Sequence, residues 1–518
     1  AGGRKELGDL YGLDITLRYT LDPGASTLQI EVLLDGEPTT DGFLVGAIVF
    51  PTDLAAVHGF PNGELNVGGF SLDLGVPWLE IASSEGSYSV AMPGANMGYT
   101  AIAGVRALVD VNQALSPMMV GESAEPVATP FLLSAGATDG ASATSALEPY
   151  LSAPLGDVAA PWSDVAGTVG SGGEPVAGAD VLVYAQDLEQ NWQLLDRFVT
   201  DAEGNFAGRT IYPPGGWRLV AQGAGRDDSA EVEAKPDVSA SLELGPQGGL
   251  AIHVVDGDNV PVPARIELER DDGATAVLYA VPNDTLPLAP GNYTAWVSRG
   301  YEYDVVDTSV IVPDDGSATL TVTLEHLVDT TGWASVDTHV HSSPSADSDV
   351  LETDRMRTAA GSGLDMVVST DHEAIIDISG AIAEAGLNDW LAYGLGSEVT
   401  ATVPEHVNAW PFPVQGDPRG NPVQWYGLGF PDLYAAIRER GARVVQLNHS
   451  RVNGSCGILC VLDWDRMAES PSTDDPEALG LPAGTEVWSW DFDTFELLNG
   501  LRSPLLDPDS PRNTGALI

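Results

Sequence analysis

Alternation of apolar and polar positions dominates the first 160 residues and predicts β-strands there. Residues 13–19 and 28–34 alternate in this way, and the Asp-Pro-Gly-Ala sequence between them is typical of a turn. Residues 87–92 continue the pattern. We therefore predict a β-sandwich over residues 1–160. Its last part, residues 136–161, is rich in Ala, Ser, Gly and Pro, which indicates a linker.

Two further β-units follow the linker. Residues 163–246 alternate strand and turn patterns, and Asp-Ala-Glu-Gly-Asn-Phe at 201–206 is placed to form a hairpin turn. This unit resembles the carboxypeptidase-regulatory-like, transthyretin-type β-sandwich. Residues 249–328 repeat the strand order and predict a second sandwich. Its acidic turns, such as Asp-Gly-Asp at 256–258, could bind calcium, but Asp-Gly is also the commonest hairpin turn, and we interpret them as turns.

The pattern changes at residue 333, where strand-like runs begin to alternate with helical ones. We predict helices over residues 353–361, 375–385 and 430–440. Alternating strands and helices favour a mostly parallel sheet or barrel. The sequence thus predicts a multidomain chain, in which all-β sandwich modules precede an α/β domain over residues 333–518.

The chain is strongly acidic. It has 22 Lys and Arg against 75 Asp and Glu, which gives a net charge of −53, and its Lys residues are Lys5 and Lys235. Such a charge disfavours nucleic acid and anionic membranes as partners. The acids are dispersed among apolar residues, which favours a folded, hydrated surface over disorder. No apolar run reaches the roughly 18 residues of a membrane span.

The N-terminus and the cysteines bear on the compartment. The chain starts at Ala1 without a Met and shows no signal peptide, so we expect a processed or truncated N-terminus, which leaves export open. Our prediction for the location is extracellular or periplasmic. Cys456 and Cys460 are close in sequence. For this pair we rank a local disulfide first, free buried thiols second and metal ligation third.

Five of the eight His residues lie within residues 333–450, each beside a carboxylate or at the end of an apolar run. In Asp-Thr-His-Val-His at 337–341, residues two apart share a strand face, so Asp337, His339 and His341 project together. Two neighbouring imidazoles form half of a first-row metal site, and Asp337 could orient one of them through its other ring nitrogen. For an isolated His-x-His, a polar strand face is the plainer interpretation.

Later segments supply further ligand types at predicted strand ends. They are His372 after the apolar run 364–370, Glu398 after 393–397, His406 beside Glu405, and His449 after 442–448. Asp371 is either the N-cap of the following helix or part of the site. Since parallel strands carry chemistry at their carboxyl ends, four such segments in order predict a metal centre. Asp493 and Glu496, on a last strand, could line the pocket or be structural.

Together these motifs resemble the polymerase-and-histidinol-phosphatase (PHP) superfamily of metal-dependent hydrolases, and within it the CehA/McbA-like branch. The matching segments are residues 337–348, Thr-Asp-His at 370–372, Gly-Ser-Glu-Val-Thr at 396–400 and Asn-His at 448–449. The resemblance covers about residues 250–500 and implies a distorted (β/α)7 barrel. Because the family closes its site with a late Asp-x-His and no His follows His449, we expect the barrel to be incomplete at its C-terminus.

The resemblance also implies roles for individual residues. The metal ligands would be His339, His341, Asp347, His372, Glu398, His406 and His449. One to three zinc, manganese or iron ions would activate a water molecule that cleaves a small-molecule phosphoester or carboxyl ester. The catalytic groups, which exchange protons with the substrate, would be His406, His449 and Asp371.

Two functions remain open from the sequence. The first is a metal-dependent hydrolase acting on ester bonds, whether as a phosphoesterase or as a carboxylesterase. The alternative is a secreted binding or structural protein with a degenerate, inactive barrel, which the tandem β-modules and the missing Asp-x-His favour. The sequence does not fix the substrate, the metal or the oligomeric state.

Overall fold

A computed structural model describes separate strands in the first part of the chain and most of the chain from residue 162 to residue 496. The described residues are 2–10, 13–21, 26–36, 42–43, 47–50, 56–59, 66–67, 78–82, 87–91, 98–102, 106–110, 119–120, 131–136, 146, 162–186, 190–212, 215–345, 347–348, 350–401, 406–414, 423–425, 427–449, 459, 462–465, 467–472, 475–479 and 481–496. Most of the predicted linker, both cysteines and the chain end from residue 497 lie outside these ranges. Within them, no helix is long and apolar enough to cross a membrane.

The N-terminal region consists of antiparallel strands. They are β1 (Gly2–Leu10), β2 (Leu13–Leu21), β3 (Thr27–Gly36), β4 (Gly42–Phe43), β5 (Ala47–Phe50), β6 (Ala56–Gly59), β7 (Asn66–Val67), β8 (Trp78–Ala82), β9 (Ser87–Ala91), β10 (Gly98–Ile102), β11 (Arg106–Asp110), β12 (Met119–Val120) and β13 (Phe131–Gly136). The largest sheet has the order β1-β2-β3-β13-β9-β8-β6-β7, and smaller sheets pair β10-β11-β5 and β12-β4. Strands β2 and β3 contain the two alternating runs that predicted them.

The next unit is a sandwich of two four-stranded sheets. Its strands are β14 (Trp162–Ser171), β15 (Glu174–Pro175), β16 (Asp180–Gln186), β17 (Trp192–Val199), β18 (Asn205–Ile211), β19 (Trp217–Gln222), β20 (Val232–Ala234) and β21 (Ala240–Glu243). One sheet runs β15-β14-β18 with β21 parallel to β14, and the other runs β17-β16-β19-β20. Between them lies an apolar core that includes Leu195, Phe198 and Trp217. The hairpin turn predicted from residue 201 is present, since the Asp201 carboxylate accepts the backbone N–H of Asn205.

A second sandwich follows directly. Its strands are β22 (Gly248–Asp256), β23 (Ala264–Arg270), β24 (Thr275–Ala280), β25 (Thr285–Pro287), β26 (Gly291–Ser298), β27 (Val306–Val312) and β28 (Gly316–Leu324). The sheets are β25-β22-β28 and β24-β23-β26-β27. Strand β26 shows how alternation builds the core, because Tyr293, Ala295 and Val297 are buried while the residues between them face outward. The Asp256 carboxylate accepts the backbone N–H groups of Asp258 and Val260, so that acidic turn has a structural use.

The C-terminal unit mixes strands with short helices. Its strands are β29 (Val336–Val340), β30 (Met366–Ser369), β31 (Ala392–Leu395), β32 (Ser397–Val399), β33 (Val407–Trp410), β34 (Val444–Leu447), β35 (Trp464–Asp465), β36 (Ser470–Pro471) and β37 (Thr494–Phe495). The α-helices are α1 (Glu352–Gly361), α2 (Ser379–Glu384) and α3 (Phe430–Glu439). Two main sheets result, a parallel one in the order β29-β30-β31 and a mixed one in the order β32-β33-β34-β37.

The predicted (β/α)7 barrel is wrong for the described residues. A barrel of that kind alternates each parallel strand with a helix. Here α1 and α2 join the parallel strands β29, β30 and β31, but β32, β33 and β34 pair antiparallel, although α3 lies between β33 and β34. The two sheets meet at one isolated bridge between His372 and Glu398. The described chain is therefore predominantly β, and the labels PHP domain, hydrolase and phosphoesterase lose the support that a barrel would have given them.

Arginine side chains connect the second sandwich to the C-terminal unit. Arg299 is 5% exposed, and its guanidinium donates to the carbonyls of Pro263 (3.1 Å) and Ala360 (2.7 Å). The same guanidinium lies 5.0 Å from the ring of Trp390. Gly300 has a positive φ of 63°, and a Cβ there would stand 2.4 Å from the Ser362 carbonyl, so only glycine permits this close approach. The sandwich thus packs directly on α1.

Candidate metal centre

Strand β29 delivers two of the predicted ligands. His339 and His341 have ring centroids 4.9 Å apart, as expected for residues two apart at a strand end. Their Nε2 atoms lie 3.3 Å and 3.0 Å from Oε2 of Glu398. Asp337 takes a different role from the predicted one, since its Oδ1 accepts the backbone N–H of His339 (2.9 Å). It therefore supports the strand end and not an imidazole ring.

Glu398 is the centre of the cluster, and its side chain is only 1% exposed. Five imidazole nitrogens surround its two carboxylate oxygens. His339 Nε2 (3.3 Å), His341 Nε2 (3.0 Å) and His372 Nδ1 (3.3 Å) face Oε2, whereas His406 Nδ1 (3.2 Å) and His449 Nε2 (3.2 Å) face Oε1. One carboxylate thus faces two groups of imidazoles.

Strand pairing explains why residues so distant in sequence converge. The bridge between His372 and Glu398 places the residues after β30 beside β32. In the antiparallel ladder of β33 and β34, Val407 lies opposite Leu447. His406 precedes that strand pair and His449 follows it, so both emerge at the same edge of the sheet.

Asp347 joins His341 to His372. Its Oδ1 lies 2.8 Å from His341 Nδ1 and its Oδ2 lies 3.4 Å from His372 Nε2. Ser345 donates to the same Oδ1 at 2.8 Å, which holds the carboxylate in place. Asp347 and His372, both of them ligands that the resemblance implies, are therefore neighbours in the structure.

The electrostatics follow from this crowding of opposite charges. Burial raises the pKa of Glu398, but hydrogen bonds from the imidazoles outweigh it and hold that pKa far below its usual range. Burial lowers the pKa of His339, yet Glu398 and Glu496 raise it to about 10. Likewise, burial lowers the pKa of His341, and Asp347 and Glu398 raise it to about 9. The carboxylates of the cluster are therefore ionised, and they stabilise positive charge placed between them.

Glu496, which the sequence analysis named as a residue that could line the pocket, contacts two of the predicted ligands. Its Oε1 lies 3.0 Å from His339 Nδ1, and its Oε2 accepts the backbone N–H of His449 (2.7 Å). A carboxylate on the far nitrogen of a ligand imidazole fixes the ring and makes it more basic. Asp493, the other candidate on that strand, is structural, since its carboxylate accepts the Val445 backbone N–H and pairs with Arg438.

Asp371, predicted as a catalytic group or helix N-cap, contacts the backbone and hydroxyl groups of nearby serines. It is fully buried, and its carboxylate accepts the Ser342 backbone N–H (2.7 Å) and the Ser369 hydroxyl (2.9 Å). Burial raises the pKa of this carboxyl group. Helix α2 begins only at Ser379, so Asp371 is not its N-cap either. Its contacts tie the loop after β29 to the end of β30, which is a structural role.

The residues present fit a divalent metal. Three overlapping groups bring ligand atoms within 4.8 Å of one another, namely His339 with His341 and Glu398, His341 with Asp347 and His372, and His372 with Glu398 and His406. Imidazole and carboxylate together suit zinc, manganese and iron. His341 Nε2 is buried and has no hydrogen-bond partner, although it lies 3.0 Å from Glu398 Oε2. A ring nitrogen and a carboxylate oxygen that lie this close without hydrogen-bond geometry are compatible with two ligands of one cation.

Sequence reasoning missed the amide side chains next to Glu398. Asn448 Nδ2 lies 2.9 Å from Glu398 Oε1, and Asn408 and Gln446 contact Asn448 in turn. The sequence contains a signal for these residues, because each amide stands next to apolar residues of a strand-like run, as in Val-Asn-Ala-Trp at 407–410. Buried amides in such positions indicate a specific partner.

Comparisons with known proteins do not identify the chain. No family model matches it, and no curated protein matches it. Solved structures that resemble parts of it include the minor pilin GBS52 of Streptococcus agalactiae, with 15% identity, 32% of this chain and 97% of that chain covered, and a TM-score of 0.21. The shaft pilin SpaA of Lactobacillus rhamnosus GG follows with 11% identity, 32% and 98% coverage and a TM-score of 0.19. A DUF3823 family protein of Parabacteroides merdae has 12% identity, 33% and 100% coverage and a TM-score of 0.14.

Scores this low carry no argument about function.

Proposed function

We propose that the C-terminal unit is a binding site for divalent metal ions, of which zinc, manganese and iron are the candidates. One observation carries the proposal. Six nitrogen atoms, five from the imidazoles and one from Asn448, lie within 3.3 Å of the two oxygens of Glu398. A carboxylate offers about four lone-pair sites. At least two of these nitrogens therefore need a different partner, and for one of them, His372 Nδ1, the Thr400 hydroxyl oxygen lies at 2.7 Å.

A cation between the rings and the carboxylate meets that need. A neutral imidazole directs a lone pair from one ring nitrogen, and this lone pair is repelled by a carboxylate oxygen unless a positive charge lies between them. Protons on His339 and His341, whose pKa values are raised, can remove part of this repulsion when no metal is bound, but protonating all five rings would collect five positive charges in a largely buried space. Metal ions neutralise the same carboxylates with ligands that are already in place. The net charge of −53 also raises the local concentration of divalent cations around the chain.

Metal content of the purified protein tests the proposal. We expect near-stoichiometric zinc, manganese or iron by elemental analysis, and loss of that metal in the double variant His339→Ala/His341→Ala. The double variant His253→Ala/His326→Ala is the matched control, because both of its histidines lie in or next to the second sandwich, away from the cluster. A wild-type protein that binds none of these metals from a buffered solution would contradict the proposal.

Ester hydrolysis is a second candidate function, and the division of the imidazoles favours it. Three face one oxygen of Glu398, while His406 and His449 face the other. His406 is the most exposed of the five, at 26%, so its ring can reach a bound molecule. Its Nδ1 faces Glu398, which leaves Nε2 on the side away from the carboxylate. A proton held at Nε2 is placed for transfer to a leaving oxygen.

The chemistry of the hydrolase divides between metal and protein. A divalent metal lowers the pKa of water toward neutrality and polarises an ester oxygen. Glu398, Asp347, His339, His341 and His372 would hold the metal, Glu496 would orient His339, and His406, if it is not a ligand, would supply the proton. Asp371 has no part in this scheme because its oxygens are engaged by Ser342 and Ser369.

A panel of p-nitrophenyl carboxylate and phosphate esters tests the second candidate on metal-loaded protein. We expect turnover of one ester class, lost on chelation and lowered in His406→Gln. Metal binding without turnover of any ester would support metal binding as the function and contradict ester hydrolysis.

An extracellular location belongs to the same proposal and is tested by fractionating the native host.

A further inference from the structure

Three buried amide side chains form what we term the amide cluster, which consists of Asn408, Gln446 and Asn448. They are 0%, 5% and 0% exposed. Asn408 lies in β33, Gln446 lies in β34 and Asn448 follows β34. The residues between them, such as Ala409 and Leu447, belong to the apolar core. Burying an amide in such a setting costs free energy unless its hydrogen bonds are satisfied.

The contact with Glu398 fixes the direction of every hydrogen bond in the amide cluster. An ionised carboxylate only accepts, so the group that Asn448 directs at Oε1 (2.9 Å) is its amide N–H. Asn448 also donates to Asn408 Oδ1 at 2.8 Å. Its own oxygen accepts from Gln446 Nε2 at 3.2 Å. No alternative orientation of the Asn448 amide would keep these three bonds.

Both arms of the amide cluster end on Thr338. The Thr338 hydroxyl donates to Gln446 Oε1 (2.9 Å), and Asn408 Nδ2 donates to the Thr338 carbonyl (3.0 Å). The contacts thus form a closed ring of four residues, with Asn448 the member that reaches out to the carboxylate. Thr338 immediately precedes His339 in β29. The ring therefore connects the orientation of Glu398 to the strand that carries two of its imidazoles.

We propose that Asn448 is a positioning residue that sets the rotation of the Glu398 carboxylate, and that the closed ring holds Asn448 for this purpose. The proposal rests on the metal-binding function above. With Oε1 held by Asn448, Oε2 faces His339, His341 and His372, while Oε1 retains a lone pair toward His406 and His449. Without that bond, the carboxyl group can turn about its last side-chain bond and present its oxygens differently.

The variant Asn448→Leu tests the proposal, since leucine has nearly the same shape and no N–H. Loss of a group that orients a ligand typically lowers metal affinity by about 10- to 100-fold, and we expect a reduction of this size for zinc in competition with a chromogenic chelator. Cobalt(II) absorption provides a second readout, because the visible bands report ligand geometry, and we expect them to shift. Asn292→Leu is the matched control, as that amide lies in the second sandwich and bonds only Asp271 among the contacts described. We expect it to leave zinc affinity and cobalt spectrum unchanged.

The outcomes separate this proposal from the one on which it rests. Wild-type protein that binds neither zinc nor cobalt overturns both. Wild-type protein that binds them, together with an Asn448→Leu protein of equal affinity and identical cobalt spectrum, overturns only the positioning role. If circular dichroism shows that Asn448→Leu is unfolded, Asn408→Leu replaces it, because it removes an acceptor of Asn448 without touching Glu398. A smaller loss of zinc affinity in that variant supports the proposal, and an unchanged affinity contradicts it.

Discussion

The second sandwich and the C-terminal unit bury different kinds of side chain. In the sandwich, the described interior is apolar, and Arg299 at its edge is the buried charged residue. In the C-terminal unit, an apolar core coexists with fully buried Glu398, Asp371, Asn408 and Asn448. Apolar interiors follow from the hydrophobic effect alone. Buried carboxylates and amides require specific partners, which is why they mark the place where the molecule can act.

The two regions are expected to contribute differently, the second sandwich to folding stability and the C-terminal unit to metal binding. A sandwich core gains stability from each apolar contact and tolerates no charged group without a partner. The C-terminal unit places one carboxylate among five imidazoles, an arrangement that only a metal ion or several protons can balance. Substitutions in the two regions should therefore change different measured quantities.

The largest expected effect is on folding, from Ile266→Ala in the second sandwich. Ile266 is fully buried in β23, and removing its side chain leaves a cavity. Such substitutions cost about 2–5 kcal/mol of unfolding free energy. Zinc affinity of the folded fraction should stay at the wild-type value, because no ligand contacts this core. Urea unfolding and zinc competition measure the two quantities separately.

Ile311→Ala is its control, since Ile311 is 70% exposed on β27 of the same sheet. We expect a change within about 0.5 kcal/mol for that variant. If folded Ile266→Ala protein binds zinc more weakly than wild type, the core of the second sandwich also affects the metal site, and the two regions are not independent.

The second effect concerns the junction where the two regions meet. Arg299→Met keeps much of the side-chain volume but removes the guanidinium donor from the Pro263 carbonyl and one of two donors from the Ala360 carbonyl, which still accepts the Gly363 backbone N–H. Unsatisfied buried groups cost about 1–3 kcal/mol each. We expect a loss of about 2 kcal/mol and a thermal unfolding transition that becomes broader or splits, measured by calorimetry.

The matched variant Arg218→Met removes a guanidinium that lies over Trp192 and pairs with Glu231 in the first sandwich. Because that arginine is partly exposed, the loss should be well under 1 kcal/mol. Equal losses in the two variants would show that Arg299 does not join the units.

Local pattern was enough to predict many elements but not their assembly. Alternation located β2 and β3, and the predicted helix over 430–440 is observed as α3 (Phe430–Glu439). The barrel was wrong because closure depends on how strands pair, and the sequence of residues 397–410 does not show that β32 and β33 pair antiparallel. Periodicity describes a strand's faces and not its neighbours.

The residues of the candidate metal centre were likewise predictable only in part from the sequence. Ligand residues were predictable because His and carboxylates at strand ends are rare in a chain with eight His. Glu496 could not be assigned, since its partner His339 is 157 residues away and the contact exists only in the folded chain. Asp371 was overvalued because a carboxylate beside a histidine looks the same in sequence whether it faces the site or the backbone of Ser342.

The third effect is on the site alone. Glu496→Gln keeps the size of the side chain but removes the negative charge opposite His339 Nδ1. We expect zinc affinity to fall by about 10-fold, the lower end of what loss of an orienting carboxylate costs. Unfolding free energy of the metal-free protein should change much less than in Ile266→Ala.

Asp493→Asn serves as the comparison on the same segment, two residues before β37 ends. Its carboxylate pairs with Arg438 and the Val445 backbone, so it should lower stability and leave zinc affinity intact. Zinc affinity that is equal in Glu496→Gln and wild type would remove Glu496 from the site.

The smallest expected effect is that of salt on the unfolding temperature, because the negative net charge belongs to the whole chain. With a net charge of −53, acidic side chains repel one another across the folded surface, and this repulsion lowers the stability of the compact state. Raising NaCl from about 0.1 M to about 1 M shortens the screening length from roughly 10 Å to roughly 3 Å. We expect the unfolding temperature of metal-free protein to rise by a few degrees, measured by circular dichroism.

Salt also distinguishes surface from site. Groups in a buried cluster are screened much less than exposed charges, so the order of zinc affinities among wild type, Glu496→Gln and Asp493→Asn should be the same at both salt concentrations. Exposed ion pairs such as Arg18 with Glu31 weaken under the same conditions, but each contributes little. A lower unfolding temperature at high salt would mean that these pairs outweigh the repulsion. The acidic surface would then stabilise the fold through its few arginines, and both regions would depend on ion pairs more than on their cores.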